Sequence, residues 1–419
     1  MRLASAVEQQ FWFAEQITPG TLANVTMQSI RLEGPLDYAV LAEAFRVVVR
    51  RHEALRTGFM YHGGRLLVRT EARNTAPPSP VLLPSGAPND VAVSQLLTRE
   101  FDLQTGDLIR LGVVPTDYGA LLHVAAHHIA YDGLSHEIFT RDLALAYGAG
   151  LNKDVAELPL RPRMPAMLID EERRAAQLAY WRATLSSHAD LPVLGAAPSQ
   201  WELAEARLVK HQVTCDAALV RRLRLAAGRR KVMPFTLLLT AYGQAIADIA
   251  GGADFCVAVA VALRGGERIH EVGCEINTVP VRVREPLAEG AAERVWEAQS
   301  GAFSHSDVPF ADIVTATRTA GRSRLALAQT SLIYQGWKRA AYPAGPATMR
   351  TVMSDPLGAQ FEVQMLLCLT EDGQLALLAQ APLPSGWTDH LVDLTRAMML
   401  RLRDLTESAT TQPSTGRIP

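Results

Sequence analysis

An apolar run that ends in two adjacent histidines is the feature that most constrains the fold of this chain. The run, Ala120–His127, is short enough to be a buried strand, and His128 follows it directly. Asp132 and Gly133 come next, and after them the pattern changes to that of a helix. Because neighbouring side chains on a strand point to opposite faces, only one of the two histidines can face a given cavity. A strand, a polar loop and a helix in this order indicate a mixed α/β fold.

The side chains of this segment suit proton transfer. An imidazole at the end of a strand can accept a proton from an attacking nucleophile or orient that nucleophile, which makes His127 and His128 candidate general bases. Asp132 could hold the loop by pairing with a cation elsewhere in the chain. Gly133 would permit a left-handed turn or a close approach of the backbone to a substrate.

Three other interpretations of the segment stay open from the residues alone. A single buried histidine is most often structural. A metal site could use His123, His127, Asp132 and His136, although these residues lie on a strand, a loop and a helix and no HExxH pattern is present. A nucleophile triad could use Ser135, but no G-x-S-x-G elbow surrounds it. The residues favour a general-base histidine without excluding the other three.

The composition argues against several classes of function. The 419 residues include 41 Lys and Arg and 43 Asp and Glu, so the formal net charge is −2, which gives no case for nucleic acid or an anionic membrane as the main partner. The N-terminus has no apolar signal sequence, and the longest apolar stretches are too short or too polar to span a bilayer. Four scattered cysteines form neither a disulfide framework nor a zinc motif. We therefore expect a cytoplasmic protein, and a monomer by default.

The rest of the chain also mixes helices with strands. A polar, proline-rich stretch between Gly148 and Pro165 indicates the connection between two halves. We therefore predict a first lobe over residues 1–165, a second lobe over residues 166–405 and a disordered tail over residues 406–419. An amphipathic helix that Asp37 can cap and Arg50–Arg51 can close is predicted in the first lobe. Further predicted elements include strands over Leu108–Pro115, Phe255–Leu263, Asn277–Arg284, Thr330–Gln335, Phe361–Thr370 and Leu375–Gln380, and helices over Glu171–Leu185, Pro234–Ala250 and Thr388–Leu405.

Six segments, in order along the chain, resemble motifs of one family. The first and last of them are looser matches, and the four between them match closely. One of these four, Gly273–Arg282, has Ile276 in place of the usual valine. The segments are Ser5…Trp12, Arg51–Phe59 (RHEALRTGF, for RHExLRTxF), His127–Gly133 (HHIAYDG, for HHxxxDG), Gly273–Arg282 (GCEINTVPVR), His305–Val314 (HSDVPFADIV) and Arg324…Gln335. In these segments the sequence resembles the condensation domains of nonribosomal peptide synthetases.

The resemblance implies a fold and a set of site residues. The fold is a V-shaped pseudo-dimer of two chloramphenicol-acetyltransferase-like α/β lobes with a tunnel between them. His128 matches the catalytic position of the family. His127, Asp132 and Gly133 match positions that support the structure of the active site, and Arg56 is the expected salt-bridge partner of Asp132. No residue is implied as a metal ligand, and the substrate-binding residues are not indicated.

The resemblance also implies a reaction. A carrier protein would deliver an acyl or aminoacyl group as a thioester on its phosphopantetheine arm, and an amine or hydroxyl nucleophile would take that group to form an amide or an ester. No cofactor is expected on the chain itself. The partners are a donor carrier protein and either an acceptor carrier or a soluble nucleophile, in the biosynthesis of a natural product. Since the chain shows no adenylation core, no carrier-type serine motif and no thioesterase elbow, we expect a free-standing enzyme.

Two related functions compete with this one. An acyltransferase that uses acyl-coenzyme A shares the fold and HHxxxDG, although the complete RHEALRTGF and HSDVPF segments favour the peptide-synthetase branch. A non-catalytic recruitment domain has the same fold but would be expected to lose the histidine. An epimerase is a weaker alternative. The family pattern is not followed at Glu8, Gln10, 159–172 and 380–387, which limits what the resemblance says about substrates and carrier docking.

Overall fold

The structure is a computed structural model that describes residues 1–70, 79–154, 158–161, 169–195, 198–199, 202, 206–317, 327–337, 339–352 and 356–407. It divides into two compact units. Unit 1 consists of Met1–Leu168, Ala262–Ile276 and Arg339–Gly358. Unit 2 consists of Ile169–Val261, Asn277–Lys338 and Ala359–Pro419. Most of the predicted disordered tail, residues 408–419, and Arg324 of the last motif lie outside the described residues.

Helices and strands alternate along the chain, as expected for an α/β protein. The α-helices in the described part are α1 (Ala6–Ile17), α2 (Tyr38–Arg51), α3 (Asn89–Leu96), α4 (Gly133–Leu151), α5 (Glu171–Leu185), α6 (Ala217–Arg230), α7 (Pro234–Ala250), α8 (Ala291–Ser304), α9 (Phe310–Thr317) and α10 (Leu391–Glu407). The strands are β1 (Arg2–Leu3), β2 (Val25–Glu33), β3 (Gly58–His62), β4 (Arg65–Arg69), β5 (Val81–Leu82), β6 (Ile109–Thr116), β7 (Gly119–His127), β8 (Leu208–Cys215), β9 (Asp254–Ala262), β10 (Ile276–Arg284), β11 (Thr330–Gln335), β12 (Ala341–Ala344), β13 (Ala347–Val352), β14 (Val363–Leu369) and β15 (Leu375–Pro382).

The main sheet of unit 1 has the strand order β12-β13-β2-β7-β6-β5. Strand β7 lies inside it, antiparallel to β2 on one side and to β6 on the other. All of its residues except Leu121 are buried, which explains why its sequence is apolar apart from His123 and His127 and does not alternate. Helices α2 and α4 pack against each other and share one hydrophobic core with this sheet. A small sheet of order β1-β4-β3 completes the unit.

The predicted boundary between the lobes differs from the observed one. The first unit ends its N-terminal part near the expected position, at Leu168, but it also contains two segments from the region that we predicted to be the second lobe. One of them carries β12 and β13, and β13 pairs with β2 from Thr348↔Glu33 to Val352↔Ser29. The prediction of two lobes formed by consecutive halves was wrong because strand pairing does not require neighbours in sequence.

Unit 2 contains a second six-stranded sheet, of order β10-β9-β11-β14-β15-β8. Strand β11 runs parallel to β9 and to β14, whereas β15 runs antiparallel to both β14 and β8. Helix α7 begins with Pro234, whose fixed φ suits a first helical turn, and it is buried on most of its surface. In the described residues no single helix is long and apolar enough to cross a bilayer; α6 and α7 meet the criteria only together, across a bend of 104°.

Candidate active site

The two histidines lie where β7 ends inside unit 1. His127 is the last residue of the strand, and His128 begins a short 3₁₀ turn, His128–Ala130, that leads toward α4. Strand β2 pairs with β7 as far as Val25↔His127, so the backbone is held in the sheet up to the first histidine. The change from strand to 3₁₀ turn therefore falls between the two imidazoles.

His127 is held in one tautomer by its partners. Its Nδ1 accepts a hydrogen bond from the backbone N–H of Ile129 at 3.1 Å. The proton of the neutral ring is therefore on Nε2, which donates to Oε2 of Glu15 at 3.2 Å. Both ring nitrogens are engaged and the side chain is buried, so His127 has no nitrogen left for a substrate.

Glu15 belongs to α1 and is buried beside His127. Burial alone would raise the pKa of its carboxyl group, but hydrogen bonds from His127, from Nδ2 of Asn24 at 2.9 Å and from the N–H of Gly20 at 2.7 Å outweigh that effect and lower the pKa. Glu15 is therefore a carboxylate at neutral pH that accepts three hydrogen bonds.

His128 has a different environment. Its imidazole stacks on the ring of Phe11, with centroids 4.9 Å apart and an interplanar angle of 12°. Its Nδ1 lies 3.7 Å from Sγ of Cys274, and the side chain is only partly buried. Burial lowers the pKa of His128, and His127 lowers it further, whereas its own backbone carbonyl and Asp132 act in the opposite direction. The imidazole is therefore neutral at pH 7 and can accept a proton.

Helix α1 contacts both histidines. Phe11 and Glu15 are four residues apart, so they lie on the same face of the helix, one turn from each other. Phe11 contacts His128 and Glu15 contacts His127. Ser5 and Glu8 form a capping box that fixes the start of this helix. The opening motif of the sequence thus orients the histidine pair.

Asp132 caps α4 and is almost completely buried. Its Oδ1 accepts hydrogen bonds from the N–H of Ser135 at 3.0 Å and from Oγ of Ser135 at 2.9 Å. Its Oδ2 accepts one from the N–H of Glu275 at 3.0 Å. Nη2 of Arg264 donates to both carboxylate oxygens, at 2.7 and 2.6 Å, and both side chains are 1% exposed. The carboxylate thus joins the start of α4 to the segment 262–276.

The expected pair between Asp132 and Arg56 was wrong, because Arg264 is the cation that Asp132 binds. Arg56 lies in the short 3₁₀ turn Glu53–Arg56, and its guanidinium donates to the carbonyl oxygens of Arg50 at 3.1 Å and Thr70 at 3.0 Å. Arg56, although it has the charge expected of a partner for Asp132, therefore bonds the backbone of its own region.

Arg51 and His52 of the RHEALRTGF motif join α2 to α4. Oδ2 of Asp142 in α4 forms an ion pair with the guanidinium of Arg51, 2.7 Å from its Nε, and accepts a hydrogen bond from Nε2 of His52 at 2.9 Å. All three side chains are buried. Burial would raise the pKa of Asp142, but hydrogen bonds from His52 and Arg141 lower it to about 2. This motif therefore forms a buried ion network at the helix–helix contact.

Gly133 does not form the left-handed turn considered from the sequence. It is the first residue of α4, directly after the cap Asp132, and so has a helical backbone. A glycine there allows the chain to pass from the extended Asp132 into the helix without a side chain beside the capping carboxylate.

The residues considered for a metal site or a nucleophile triad bond other protein groups in the structure. His123 lies 3.2 Å from Oγ of Ser29, and His136 lies 3.4 Å from Oγ1 of Thr26. Among the residues that the structure describes, no group of three His, Cys, Asp or Glu side chains could hold a metal ion. Oγ of Ser135 contacts Asp132, Arg264 and the backbone of Gly273. None of these hydrogen bonds of Ser135 involves a histidine, as a nucleophile triad would require.

Sequence reasoning missed four residues of this site: Phe11, Glu15, Arg264 and Cys274. Arg264 follows β9 in a loop that carries other charged residues, and nothing in its neighbours distinguishes it. Phe11 and Glu15 could have been found from helical periodicity, since they lie on one face of α1 at a spacing of four. Cys274 lies inside the Gly273–Arg282 motif, which should have drawn attention to it.

The late motifs come together in unit 2. Nδ2 of Asn277 donates to the carbonyl oxygens of Ser306 at 2.8 Å and Val308 at 2.7 Å, and its Oδ1 accepts from the N–H of Phe310 at 3.2 Å. His305, at the start of the same loop, stacks on Tyr180 of α5 with centroids 3.8 Å apart. Asn277 is therefore the side chain that joins the Gly273–Arg282 motif to the HSDVPF loop.

Comparisons with known proteins agree with the geometry. The family model described as Condensation domain matches residues 2–361. Malpinin synthetase of Mortierella alpina is 26% identical over 333 residues, which are 75% of this chain and 4% of that protein. Phosphinothricin tripeptide synthetase PhsC of Streptomyces viridochromogenes is 29% identical over 337 residues, 75% of this chain and 31% of that protein. The chain thus spans less than a third of these relatives.

A solved structure shows the fold. The starter condensation domain of rhizomide synthetase, as a variant in complex with a coenzyme A derivative, superposes with a TM-score of 0.80 and 18% identity, over 98% of this chain and 96% of that one. The chloramphenicol-acetyltransferase-like α/β fold predicted from the motifs is confirmed by such neighbours. The chain belongs to the condensation domain family of nonribosomal peptide synthesis.

Proposed function

We propose that this chain catalyses a condensation reaction in the biosynthesis of a nonribosomal peptide or a related natural product. A carrier protein delivers an acyl or aminoacyl thioester on its phosphopantetheine arm, and an amine or hydroxyl group takes the acyl group. The observation that carries this proposal is the environment of His128, a neutral and partly buried imidazole at the end of β7 whose neighbours orient it without using both of its nitrogens.

The reaction needs one proton to be moved. The nucleophile attacks the thioester carbonyl, the C–N or C–O bond forms, the C–S bond breaks and the thiol of the arm departs. The proton that the nucleophile loses passes to His128 and from there to the departing thiolate, so no other reactant is consumed. A thioester is already activated, so the enzyme's main contributions are to place the nucleophile and to accept its proton.

His127, Asp132 and Gly133 act in this proposal by supporting His128. His127 binds Glu15, and Asp132 binds Arg264 and the N–H of Glu275, so the segments before and after the 3₁₀ turn are both held. These bonds support a fixed position for His128 between them. We propose no cofactor on the chain; the phosphopantetheine arm belongs to the carrier.

The test is a mass-spectrometric turnover assay with wild type, His128→Ala and His305→Ala. The enzymes receive a panel of carrier-bound acyl thioesters with amine and alcohol acceptors, after circular dichroism has shown that all three are folded. His305 is the matched control because it also stacks on an aromatic ring. We expect His128→Ala to lower turnover by about 10²–10⁴-fold and His305→Ala to leave it near wild type.

Other outcomes separate the competing functions. Turnover that survives His128→Ala would exclude the histidine mechanism. Activity with acyl-coenzyme A but with no carrier would make the chain a coenzyme A-dependent acyltransferase. Inversion at the α-carbon of a carrier-bound aminoacyl group, without acyl transfer, would make it an epimerase, and carrier binding without any turnover would make it a recruitment domain.

A further inference from the structure

The backbone around Cys274 is held on both sides. The N–H of Gly273 donates to Oγ of Ser135 at 3.1 Å, and the carbonyl oxygen of Gly273 accepts from Nη2 of Arg264 at 2.6 Å. On the other side, the N–H of Glu275 donates to Asp132 at 3.0 Å. The thiol between these two residues is therefore fixed by the same Asp132 network, and its side chain is 1% exposed.

The fixed thiol meets the imidazole of His128 at one nitrogen. Sγ of Cys274 lies 3.7 Å from Nδ1 of His128. The backbone of His128 also acts on its own ring and raises the pKa of the imidazole, which is the effect of a carbonyl oxygen that accepts from a ring N–H. Only Nδ1 is close enough to the backbone to donate to the carbonyl of its own residue, so this effect favours the tautomer with its proton on Nδ1. In that tautomer the sulfur is a second, weak acceptor for the same N–H.

We infer that Cys274 is a positioning residue for His128, one that favours the Nδ1–H tautomer and directs the unprotonated Nε2 toward the reacting groups. The structural part of this inference concerns only the tautomer, and its catalytic consequence rests on the proposed function. Phe11 fixes the plane of the ring by stacking, and Cys274 fixes the rotation of the ring within that plane.

A sulfur atom suits this position better than an oxygen atom. Oxygen accepts hydrogen bonds more strongly than sulfur, so an oxygen here would stabilise the protonated imidazolium and make His128 harder to deprotonate. Among the charged and titratable groups that act on His128, Asp132 favours the imidazolium and His127 opposes it. The imidazole of His136 also interacts with His128 electrostatically, while Phe11 contributes an uncharged ring. The thiol adds a contact at Nδ1 without adding a charge.

The tautomer can be measured without a substrate. The full chain labelled with ¹⁵N-histidine has eleven histidines, and the signals of His128 are assigned by their absence in His128→Ala. We expect Nδ1 to be protonated and Nε2 unprotonated in wild type above the imidazole pKa. In Cys274→Ala the two ring-nitrogen signals should move toward averaged values, because the ring loses one of the contacts that select the tautomer. A wild-type His128 protonated on Nε2, or signals unchanged in Cys274→Ala, would overturn the inference.

Turnover tests the catalytic consequence, with Cys256→Ala as the matched control because that thiol is equally buried but lies on β9 in unit 2. We expect Cys274→Ala to lower kcat about tenfold with little change in KM, and Cys256→Ala to change neither beyond about twofold. Cys274→Ser should move the acid limb of the kcat profile to higher pH, which a purely structural loss would not do. Equal kcat and equal pH profiles in wild type and both Cys274 variants would contradict the inference.

The two proposals fail in different ways. If wild type condenses no carrier-bound substrate, the proposed function fails while the tautomer measurement still decides the role of Cys274. If wild type is active and His128→Ala is inactive, but the Cys274 variants match wild type, the proposed function stands and the positioning role is excluded.

Discussion

The stacked histidine of unit 1 and the stacked histidine of unit 2 have differently built surroundings. Beside His128, the motif residue Asp132 is a buried carboxylate, and Arg264 compensates its charge. Beside His305, the motif residue Asn277 is a buried amide that bonds two carbonyl oxygens and two N–H groups. Both arrangements cross-link distant segments, but the first one does so with a carboxylate and the second with an amide.

The two histidines also differ in what their rings bind. Nδ1 of His305 lies 2.7 Å from the carbonyl oxygen of Gly301, which is the strong hydrogen bond of a structural histidine. Nδ1 of His128 meets the sulfur of Cys274 at 3.7 Å. The comparison teaches that a buried ion pair holds the segments around the weakly bound imidazole of His128. At the HSDVPF loop the buried contacts of Asn277 are neutral, and the ion pair of Arg173 with Asp307 is partly exposed. The predictions below test that difference, from the largest effect to the smallest.

Removing Arg264 should have the largest effect. Arg264→Met leaves the carboxylate of Asp132 buried without its cation, which costs about 3–5 kcal/mol in the free energy of unfolding. Arg56→Met, the matched control, should cost below about 1 kcal/mol because Arg56 bonds only partly exposed carbonyl oxygens. Urea denaturation measures both. Equal losses in the two variants would show that the ion pair of Arg264 with Asp132 stabilises the fold no more than the carbonyl contacts of Arg56 do.

Removing the side chain of Asn277 should lower the free energy of unfolding by less than removing that of Arg264, because no buried charge is left unpaired. Asn277→Ala leaves two buried carbonyl oxygens and the N–H groups of Thr278 and Phe310 without this partner, and we expect a loss of about 2–3 kcal/mol by the same denaturation measurement. Asn277→Asp should lose at least as much, since a carboxylate oxygen then faces carbonyl oxygens. A loss in Asn277→Ala as large as that in Arg264→Met would show that charge is not what distinguishes the two networks.

Acid should weaken the network of unit 1 through Glu15. Because the folded-state pKa of Glu15 lies below its ordinary value of 4.5, the carboxylate contributes stability above pH 4.5 that is lost as the pH falls through the lowered folded-state pKa. Glu15→Gln should therefore cost about 1–2 kcal/mol at neutral pH and flatten the loss of stability below pH 4.5. The control, Asn277→Ala, should keep the wild-type slope. An unchanged acid slope in Glu15→Gln would contradict the lowered pKa.

Removing one stacked ring from each unit should have the smallest effects. Phe11→Leu and Tyr180→Leu each lose an aromatic contact with a histidine and should each cost about 1 kcal/mol of stability. In the turnover assay only Phe11→Leu should lower kcat, by about threefold to tenfold, since only His128 is proposed to move a proton. Equal kcat in the two variants would place the ring of Phe11 in a purely structural role.

Local signals predicted many of the elements. Helix α2 begins after Asp37, whose side chain accepts from the N–H of Val40 at 3.0 Å, as its capping pattern predicts. Strand β11 has the predicted bounds, and α5 and α7 do as well. Strand β2 was missed because it buries Gln28, which bonds Thr140 at 2.7 Å and Tyr131, so its sequence lacks a clear apolar face. A strand with buried polar side chains is therefore difficult to recognise from the pattern of apolar residues.

The site was predictable only where it is contiguous. The segment from His127 to Asp132 is recognisable from its consecutive residues alone, and the structure places those residues together at the end of β7. Their partners lie far away in sequence, with Arg264 132 positions after Asp132 and Cys274 146 positions after His128. Such pairs depend on the path that the chain takes before it returns to unit 1, which no local propensity encodes.

The pairing of β13 with β2 delays the folding of unit 1 during synthesis of the chain. Ile30 leaves the ribosome before its partner Thr351, which is made about 300 residues later, and that interval takes about 15–60 s at ordinary elongation rates. For that time one edge of β2 carries unpaired backbone groups that could pair with another chain. A fragment cut after the first lobe would keep that open edge permanently. Expression of this protein in pieces should therefore favour aggregation, and its first unit can be completed only when most of the second has already been made.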